Sequence, residues 1–331
     1  MTSPIVLLTN PIDPDVSASL AQRVEVRLAS ATDAVTLRRE SMEASFIIVR
    51  APLPEDLFDQ APRLKAVVRH GAGLDMIPVP AASRNGIAVA NVPAVNAQSV
   101  AEYAVAQMLA LARHLPRIDA AVRGPSWDAA RQLADHALEL HGKTVAIVGM
   151  GAIGQALAHI CALGFGMRVL GVRRTPQPHS EVVRYVALDD ALPQADYVVL
   201  SCPLDETTRG LISAQRLART KPGARLVNVS RGAVVDEAAL AAALATGQLA
   251  GAALDVFTVQ PLPADSPLRT LPNVLLSPHL AGITRESMRR MSQSAASQVL
   301  EMLEGRLPRH FVNPDAREKI LARWSTLASS P

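Results

Sequence analysis

The segment TVAIVGMGAIG, residues 144–154, joins a short apolar strand to the start of a predicted helix. A GxGxxG pattern alone is common by chance, but one that lies between a strand and a helix is typical of a dinucleotide-binding turn. Gly149 permits the tight turn, Gly151 lets the backbone approach a pyrophosphate, and Gly154 lets helix and strand pack closely. The free N–H groups at the helix start, which would face the phosphates, belong to Ala152 and Ile153. We therefore predict a nucleotide site at this turn.

Short apolar strands alternate with helices along most of the chain, which predicts parallel sheets built from βαβ units. Their runs of Val, Ile, Leu and Ala show no polar alternation, which indicates sheets covered on both faces. The predicted strands are residues 5–8, 24–27, 46–49, 66–69, 88–90, 144–148, 168–172, 197–201, 225–229, 250–255 and 274–277. The predicted helices are residues 13–20, 54–60, 97–115, 153–164, 237–246 and 284–304. Residues 117–140 are predicted to be irregular, with a break at Gly124–Pro125, and a polar tail is predicted after the last helix. The fold class is α/β, with two doubly wound, Rossmann-like parallel sheets.

Composition excludes several classes of protein. With 331 residues, 49% hydrophobic and 19% charged, the chain is expected to form two globular domains. The net charge of +3 does not indicate a nucleic-acid partner, and no apolar run is long enough to indicate a membrane span. Cys161 and Cys202 are too few for a disulfide framework, so we expect a reducing cytoplasm, and we predict no metal site. Because aromatic residues make up only 3%, a ligand is expected to be held by amides and charges rather than by stacking.

The residues after the second strand of the nucleotide-binding half bear on the choice of cofactor. An Asp or Glu there would bind the ribose hydroxyl of NAD and repel a 2′-phosphate. Here the strand at residues 168–172 is followed by Arg173 and Arg174, whose guanidinium groups suit a phosphate. The alternative is that these arginines are solvated surface charges. We predict that NADP is preferred, with NAD possible.

Three further segments follow predicted strands, at the edge where open α/β sheets bind ligands. They are residues 228–232, NVSRG, residues 255–261, DVFTVQP, and residues 277–282, SPHLAG. Together with the glycine turn, HGAGLD at 70–75 and NAQSVAE at 96–102, they form an ordered set that resembles the D-isomer-specific 2-hydroxyacid dehydrogenase family over nearly the whole chain.

The resemblance implies a domain arrangement. A cofactor domain, residues 98–285, is expected to be inserted into a discontinuous substrate domain made of residues 1–97 and 286–331. The resemblance also implies a homodimer formed through the cofactor domains, with the helix from Ala97 and residues 117–140 as the expected contact.

The chemistry of that family explains two residues. Reduction of a 2-oxo acid needs a cation that holds the carboxylate and polarises the carbonyl, and an acid that protonates the new alkoxide. Arg231 suits the first task because it is permanently charged and fork-shaped. His279 suits the second because imidazole titrates near neutral pH. Either residue alone would be read as a surface ion pair or a loop histidine, so the assignment rests on the ordered set.

The resemblance assigns further residues to substrate and cofactor. The amides of Ala72 and Gly73 are expected to bind the substrate carboxylate, unless they form a plain turn. Arg50 would add charge for an acidic or phosphorylated substrate or would form a surface pair, and Asn96 would contact substrate or cap the helix that follows it. The resemblance extends the cofactor set to Cys202, Pro203, Thr208, Val229, Ser230, Arg231, Asp255, His279 and Gly282. Asp255 is expected near the nicotinamide amide, and Cys202 as a packed small residue rather than a nucleophile.

One position departs from the family pattern. Most members have Glu where this chain has Gln260, before Pro261. A carboxylate beside a histidine favours the imidazolium form, whereas an amide can only orient the ring, so the pKa of His279 is expected to be lower than in a Glu-bearing relative. Three interpretations remain open. They are an active hydroxyacid dehydrogenase, a formate dehydrogenase-like enzyme using the Gln260–Pro261 and His279 pairing, and a non-catalytic, corepressor-like nucleotide sensor. The first is preferred because Arg231 and His279 are both present, with glyoxylate, hydroxypyruvate or a phosphorylated hydroxy acid as candidate substrates.

Overall fold

A computed structural model describes residues 3–124, 126–175, 178 and 180–329. The chain divides into two compact units, one formed by Met1–Asn96 with Ile283–Pro331 and the other by Ala97–Gly282. Each contains a parallel sheet flanked by helices, so the predicted fold class, two parallel-sheet α/β domains, is confirmed.

The first segment of the first unit forms a five-stranded parallel sheet in the order β2-β1-β3-β4-β5. The strands are β1 Ile5–Leu8, β2 Glu25–Leu28, β3 Phe46–Val49, β4 Ala66–Arg69 and β5 Ala88–Ala90. The helices are α1 Pro14–Leu20, α2 Ala34–Ser41 and α3 Val79–Arg84, with a 3₁₀ turn at Glu55–Asp59. Asp13 and Asp33 begin α1 and α2, since their carboxylates accept hydrogen bonds from first-turn N–H groups. Apolar side chains cover both faces of β1 and β3, which explains why these strands lack alternation.

The second unit contains a seven-stranded parallel sheet in the order β12-β11-β10-β9-β6-β7-β8. Its strands are β6 Thr144–Val148, β7 Arg168–Val172, β8 Arg184–Tyr185, β9 Tyr197–Leu200, β10 Ala224–Asn228, β11 Leu249–Leu254 and β12 Val274–Leu276. Its helices are α4 Ala97–Arg113, α5 Leu115–Val122, α6 Trp127–Gln132, α7 Ala152–His159, α8 Leu188–Ala191, α9 Ala214–Ala218 and α10 Glu237–Ala245. The order of connections reverses between β6 and β9, which places a crevice outside the carboxyl ends of those two strands.

Shorter helical pieces connect the strands of the second unit. A π-helical turn at Ile160–Gly164 continues α7, and 3₁₀ turns lie at Leu133–His136, Gly232–Val234 and Pro267–Arg269.

The chain then returns to the first unit as α11 Arg285–Leu303 and, after a 3₁₀ turn at Pro314–Ala316, α12 Arg317–Ser329. Thr284 and Ser287 form a reciprocal cap at the start of α11. Met291, Ala295 and Val299 of α11 belong to the same buried cluster as the strand residues of the five-stranded sheet. Within the described residues, no helix has the length and apolar composition that a membrane span requires.

Two sequence-based expectations were wrong. Residues 117–140 were expected to be irregular, but α5 and α6 occupy part of this segment, and Pro116 in the first turn of α5 is a helix-start signal. Pro125, part of the expected break, lies outside the described residues. The expected polar tail contains α12, whose buried Ile320 and Trp324 lie four residues apart on one helical face.

A buried histidine joins three elements of the first unit. His70, at the end of β4, is 3% exposed, and its Nε2 lies 2.9 Å from the Ser292 hydroxyl of α11. That hydroxyl donates its one hydrogen to the Met288 carbonyl (2.7 Å) and accepts from the Asp13 N–H (3.0 Å), so His70 must donate from Nε2. Burial, assisted by the charges of Arg50 and Arg69, lowers the pKa of His70 to about 4. The ring is therefore neutral at pH 7.

We predict that His70 makes the first unit less stable in acid. Its pKa is 6.5 ordinarily and about 4 in the folded protein, so between these values the unfolded chain binds a proton that the folded chain does not. The unfolding free energy should fall by about 3 kcal/mol as pH is lowered through this window. Urea unfolding of the protein and of His70→Gln at pH 7 and pH 4 measures this, since the variant keeps a donor for Ser292 but does not titrate. Parallel pH dependences in the two proteins would contradict the prediction.

Candidate active site

The glycine turn after β6 has the backbone geometry that its sequence predicts. Gly149 has a φ of +102°, and a Cβ there would lie 2.5 Å from the Cys202 backbone nitrogen. A Cβ at Gly154 would lie 2.1 Å from the Gly149 carbonyl oxygen. Gly151 is the N-cap of α7, and a Cβ there would meet nothing within 4 Å. Gly149 and Gly154 are thus required by packing, whereas Gly151 borders open space at the helix start.

A cavity of about 560 Å³ adjoins this turn. The predicted cofactor residues that line it are Gly149, Gly151, Arg173, Arg174, Cys202, Pro203 and Thr208. The Thr208 hydroxyl donates to the Pro203 carbonyl (2.7 Å) and so shapes the loop after β9. First-turn N–H groups of α7 have no acceptor within the helix and are available to an anion beside Gly151. The turn, the open space and the cavity fit a dinucleotide whose pyrophosphate lies at the start of α7.

Sequence reasoning missed other residues of the cavity wall, notably Asp205 and Arg216. Arg173 and Arg174 are exposed at the end of β7, and Arg174 Nη1 lies 3.4 Å from Asp205 Oδ2. The spacing from the glycine turn identifies the position after β7, but no local sequence signal pairs it with a loop thirty residues further on.

Cys202 is buried, and burial raises the pKa of its thiol to about 11, so the thiol is protonated at neutral pH.

At the carboxyl end of β11 a buried carboxylate organises the segment that carries His279. Asp255 is 2% exposed, and its Oδ1 accepts hydrogen bonds from the Ser277 hydroxyl (2.6 Å) and the Leu280 N–H (2.9 Å). Oδ2 accepts from the Ala281 N–H (2.8 Å), and the Asp255 main-chain carbonyl accepts from the His279 N–H (2.8 Å). These bonds hold His279 at a φ of +55°, a conformation that a non-glycine residue adopts only when its surroundings impose it.

Two residues that the sequence analysis missed extend this arrangement. The Ser277 hydroxyl bonds both Asp255 and the hydroxyl of Tyr103, which lies on α4. Burial raises the pKa of Tyr103, so its hydroxyl stays protonated at neutral pH. The Asp255 carboxylate supports the 277–281 segment, and its expected position near the nicotinamide amide stays a prediction.

The orientation of the His279 ring is fixed by Gln260. The Gln260 amide nitrogen donates to the Phe257 carbonyl (3.3 Å), so its oxygen faces His279 Nδ1, 3.2 Å away. Because an amide oxygen can only accept, Nδ1 carries the hydrogen and Nε2 is the atom that can exchange a proton with a substrate. His279 and Gln260 are both exposed and line a second cavity of about 540 Å³.

Arg231 lies on the turn after β10, which Asn228 shapes. The Asn228 side chain donates to the Arg231 carbonyl (3.0 Å) and accepts from the N–H (3.0 Å) and hydroxyl (2.9 Å) of Ser230. One Arg231 guanidinium N–H donates to the Ser230 carbonyl (2.7 Å). A Cβ at Gly232 would lie 1.9 Å from the Phe257 carbonyl carbon, so only glycine lets this turn approach the segment that leads to Gln260. Val229 and Ser230 are buried, and Gly282 ends the second unit.

The predicted substrate residues lie in the first unit. Arg50 follows β3, is half-buried and donates to the Pro11 carbonyl; burial lowers the pKa of its guanidinium. Ala72 and Gly73 lie in the loop after β4, and Asn96, half-exposed, directly precedes α4.

The loop at 70–73 turns its carbonyl groups toward the protein. Arg69 donates to the carbonyls of His70 (2.8 Å) and Gly73 (3.2 Å). The Gly71 carbonyl accepts from the Val92 N–H (2.8 Å), and the Ala72 carbonyl accepts from the Asn91 side chain (2.8 Å). Among the described residues, the N–H groups of Ala72 and Gly73 find no protein acceptor. Successive N–H groups in this state are suited to an anion.

Comparison with known proteins adds independent findings. Residues 105–281 match the family model for the D-isomer specific 2-hydroxyacid dehydrogenase, NAD binding domain. A D-3-phosphoglycerate dehydrogenase of Mycobacterium tuberculosis is 38% identical over 318 residues, which are 95% of this chain but 59% of that protein. This chain thus spans about three fifths of the length of that relative.

Two shorter relatives are matched over most of their length. A glyoxylate reductase of Korarchaeum cryptofilum is 38% identical over 282 residues, 84% of this chain and 85% of the relative. The crystal structure of an NADPH-dependent glyoxylate/hydroxypyruvate reductase of Sinorhizobium meliloti in complex with citrate is 31% identical, with a TM-score of 0.81. The match covers 93% of this chain and 97% of that one.

We predict that Gly151→Ala impairs cofactor binding without disturbing the fold. The new methyl group meets no protein atom within 4 Å but enters the space beside the start of α7. Affinity for NADPH and NADH should fall at least about tenfold, because the backbone can no longer approach the pyrophosphate. Nicotinamide fluorescence titration measures the affinity. Gly164→Ala is the matched control, since a Cβ there also meets nothing within 4 Å but lies outside the turn. Unchanged affinity in Gly151→Ala would place the pyrophosphate elsewhere.

Proposed function

The chain belongs to the D-isomer-specific 2-hydroxyacid dehydrogenase family, and on that premise we propose that it transfers a hydride between a nicotinamide cofactor and a small 2-oxo acid/2-hydroxy acid pair. The observation that carries the proposal is the arrangement of one sheet edge. There the glycine turn, the Arg231 turn and the His279 segment follow the carboxyl ends of β6, β10 and β12. Each segment is held in a specific backbone conformation by its own hydrogen bonds or close packing.

In this proposal Arg231 binds the substrate carboxylate and polarises the carbonyl, because a fixed cation stabilises charge that develops on oxygen. The N–H groups of Ala72 and Gly73 bind the carboxylate as well. A bound reduced nicotinamide supplies the hydride. His279, protonated at Nε2, gives that proton to the developing alkoxide, and in the reverse direction neutral Nε2 takes the hydroxyl proton. Gln260 holds the ring through Nδ1 and contributes no charge.

NADP is the cofactor that we propose for this site. No carboxylate directly follows β7, where Arg173 and Arg174 line the same cavity as the glycine turn. A carboxylate at that point would repel a 2′-phosphate, whereas guanidinium groups bind it. The NADPH-dependent reductase of Sinorhizobium meliloti supports this assignment through its likeness over most of the chain.

The substrate that we propose is a small polar 2-oxo acid, such as glyoxylate or hydroxypyruvate. The reductases among the relatives support this class. Arg50, a half-buried cation in the first unit, keeps a phosphorylated hydroxy acid as the second candidate, and the phosphoglycerate dehydrogenase relative supports it.

We also propose that the chain forms a homodimer through the second unit. Helix α5, all of whose residues are described, buries none of them, and Leu115, Val122 and Trp127 of this region are about half exposed or more. Such an apolar surface is typical of an interface.

A reducing cytoplasm is the proposed location, where Cys161 and Cys202 remain the free, buried thiols that the structure shows.

The hydrogen bond between Gln260 and His279 favours a second candidate, a formate dehydrogenase-like activity, because hydride transfer from formate needs no proton relay. Two assays separate the candidates: incubation with NADPH or NADH and a panel of glyoxylate, hydroxypyruvate, pyruvate and phenylpyruvate, and incubation with NAD and formate. We expect loss of nicotinamide absorbance with an oxo acid and a higher kcat/KM for NADPH. Reduction of NAD by formate alone would favour the second candidate, and cofactor binding without any turnover would favour a nucleotide sensor.

We predict that Gln260→Glu shifts the pH dependence of reduction. A carboxylate next to Nδ1 favours the imidazolium form and should raise the pKa of His279. Since reduction requires protonated His279, the decline of kcat/KM at high pH should move toward higher pH. Val259→Glu is the control, because Val259 is 58% exposed and the new glutamate places the same charge one residue away from position 260. An unmoved profile in Gln260→Glu, or an equal shift in both variants, would contradict the assigned role.

A further inference from the structure

We infer that Asp205 controls the choice between NADP and NAD, because it holds Arg174 in an ion pair that a 2′-phosphate must displace. The inference rests on the proposed function of the site. It concerns a loop that follows β9 and lines the same cavity as the arginines that follow β7.

The Asp205 side chain is fixed in place by its own loop. Its Oδ1 accepts hydrogen bonds from the Thr207 N–H (2.9 Å), the Thr207 hydroxyl (2.6 Å) and the Thr208 N–H (3.1 Å). These bonds leave Oδ2 for the ion pair with Arg174 at 3.4 Å. Asp205 thus keeps its position whether or not Arg174 is bound, and the flexible partner is the arginine.

Asp205 is an anion at neutral pH. The hydrogen bonds from Thr207, and to a smaller extent the charge of Arg174, lower the pKa of its carboxyl group. The carboxylate lines the cavity together with Arg173 and Arg174. A phosphate group that enters this cavity therefore meets a fixed negative charge as well as two guanidinium groups.

The remaining arginine of the cavity wall is already engaged. Arg216 donates to both carboxylate oxygens of Asp189 (3.0 and 3.3 Å) and to the Leu211 carbonyl (2.9 Å). Asp189 also pairs with Arg219 (3.5 Å), but the guanidinium N–H groups of Arg216 are used by Asp189 and Leu211. Among the described residues of the cavity wall, Arg173 and Arg174 are therefore the arginines that a phosphate can engage. Because Asp205 occupies Arg174, one of these two cations is obtained only by breaking an ion pair.

The two cofactors differ in this requirement. A 2′-phosphate needs Arg174 and is repelled by Asp205, whereas the ribose hydroxyl of NAD neither needs the arginine nor carries charge. The side chain of Arg174 is 73% exposed and that of Asp205 35%. Exposed ion pairs are weak, so the phosphate can displace this one, at a cost that only NADP bears. Asp205 therefore reduces NADP preference without abolishing it and lets NAD compete.

Asp205→Asn tests the inference directly. The amide keeps the oxygen that accepts from Thr207 and Thr208, so the loop is retained while the charge is lost. We expect affinity for NADPH to increase about fivefold and affinity for NADH to change by less than about twofold. Fluorescence titration of the full chain with each cofactor measures both constants. Glu206→Gln is the matched control, because this neighbouring acid is exposed, does not line the cavity and should leave both affinities unchanged.

A double-mutant cycle identifies the cause. If Asp205 acts through Arg174, the gain from Asp205→Asn should shrink to less than about twofold in an Arg174→Met background. An undiminished gain there, or an equal gain in Glu206→Gln, would overturn the inference. Unchanged NADPH affinity in Asp205→Asn would also overturn the inference if Arg174→Met lowers NADPH affinity. That result would leave the proposed function intact. If Arg173→Met and Arg174→Met both leave NADPH affinity unchanged, the NADP assignment itself is wrong and the inference falls with it.

Discussion

The candidate active site depends on the buried carboxylate of Asp255. A charge that is 2% exposed is costly unless its oxygens are hydrogen-bonded, and here three donors from the 277–281 segment satisfy them. The main-chain carbonyl of the same residue binds the His279 N–H. His279 is therefore held at a positive φ by contacts with the neighbouring strand end. Tyr103 extends the arrangement through Ser277 and links it to α4.

Close packing of glycine positions supports the same edge of the sheet. Gly149 lets the turn after β6 approach Cys202, and Gly232 lets the Arg231 turn approach Phe257 and Thr258. A parallel sheet places the carboxyl ends of its strands along one edge, so segments far apart in sequence are brought to one side. In the first unit a separate set of hydrogen bonds turns the carbonyls of residues 70–73 toward the protein.

The sequence predicted most of what is set by local pattern. Strands such as Phe46–Val49 and Thr144–Val148 begin and end where their apolar runs do, because each is buried on both faces. The short helices α5 and α6 were missed although Leu115, Ile118 and Val122 recur on one face of α5, because each helix is at most eight residues long and little of either is buried. The glycine turn and its cavity were predicted from spacing. The role of Tyr103 was not, since its partner Ser277 is 174 residues away. The pair of Arg174 and Asp205 was missed for the same reason, because tertiary contact and not local propensity determines it.

In the proposed reaction this site moves a hydride to the C2 carbon of a 2-oxo acid. The most direct test uses NADPH deuterated at the transferable C4 position, with whichever of hydroxypyruvate, pyruvate and phenylpyruvate turns over fastest, since each gives a chiral product, and chiral analysis with NMR of that product. We predict one deuterium at C2 of a D-2-hydroxy acid, with none in a reaction that lacks the protein. A product without deuterium at C2, an L-hydroxy acid, or no product from any oxo acid would contradict it.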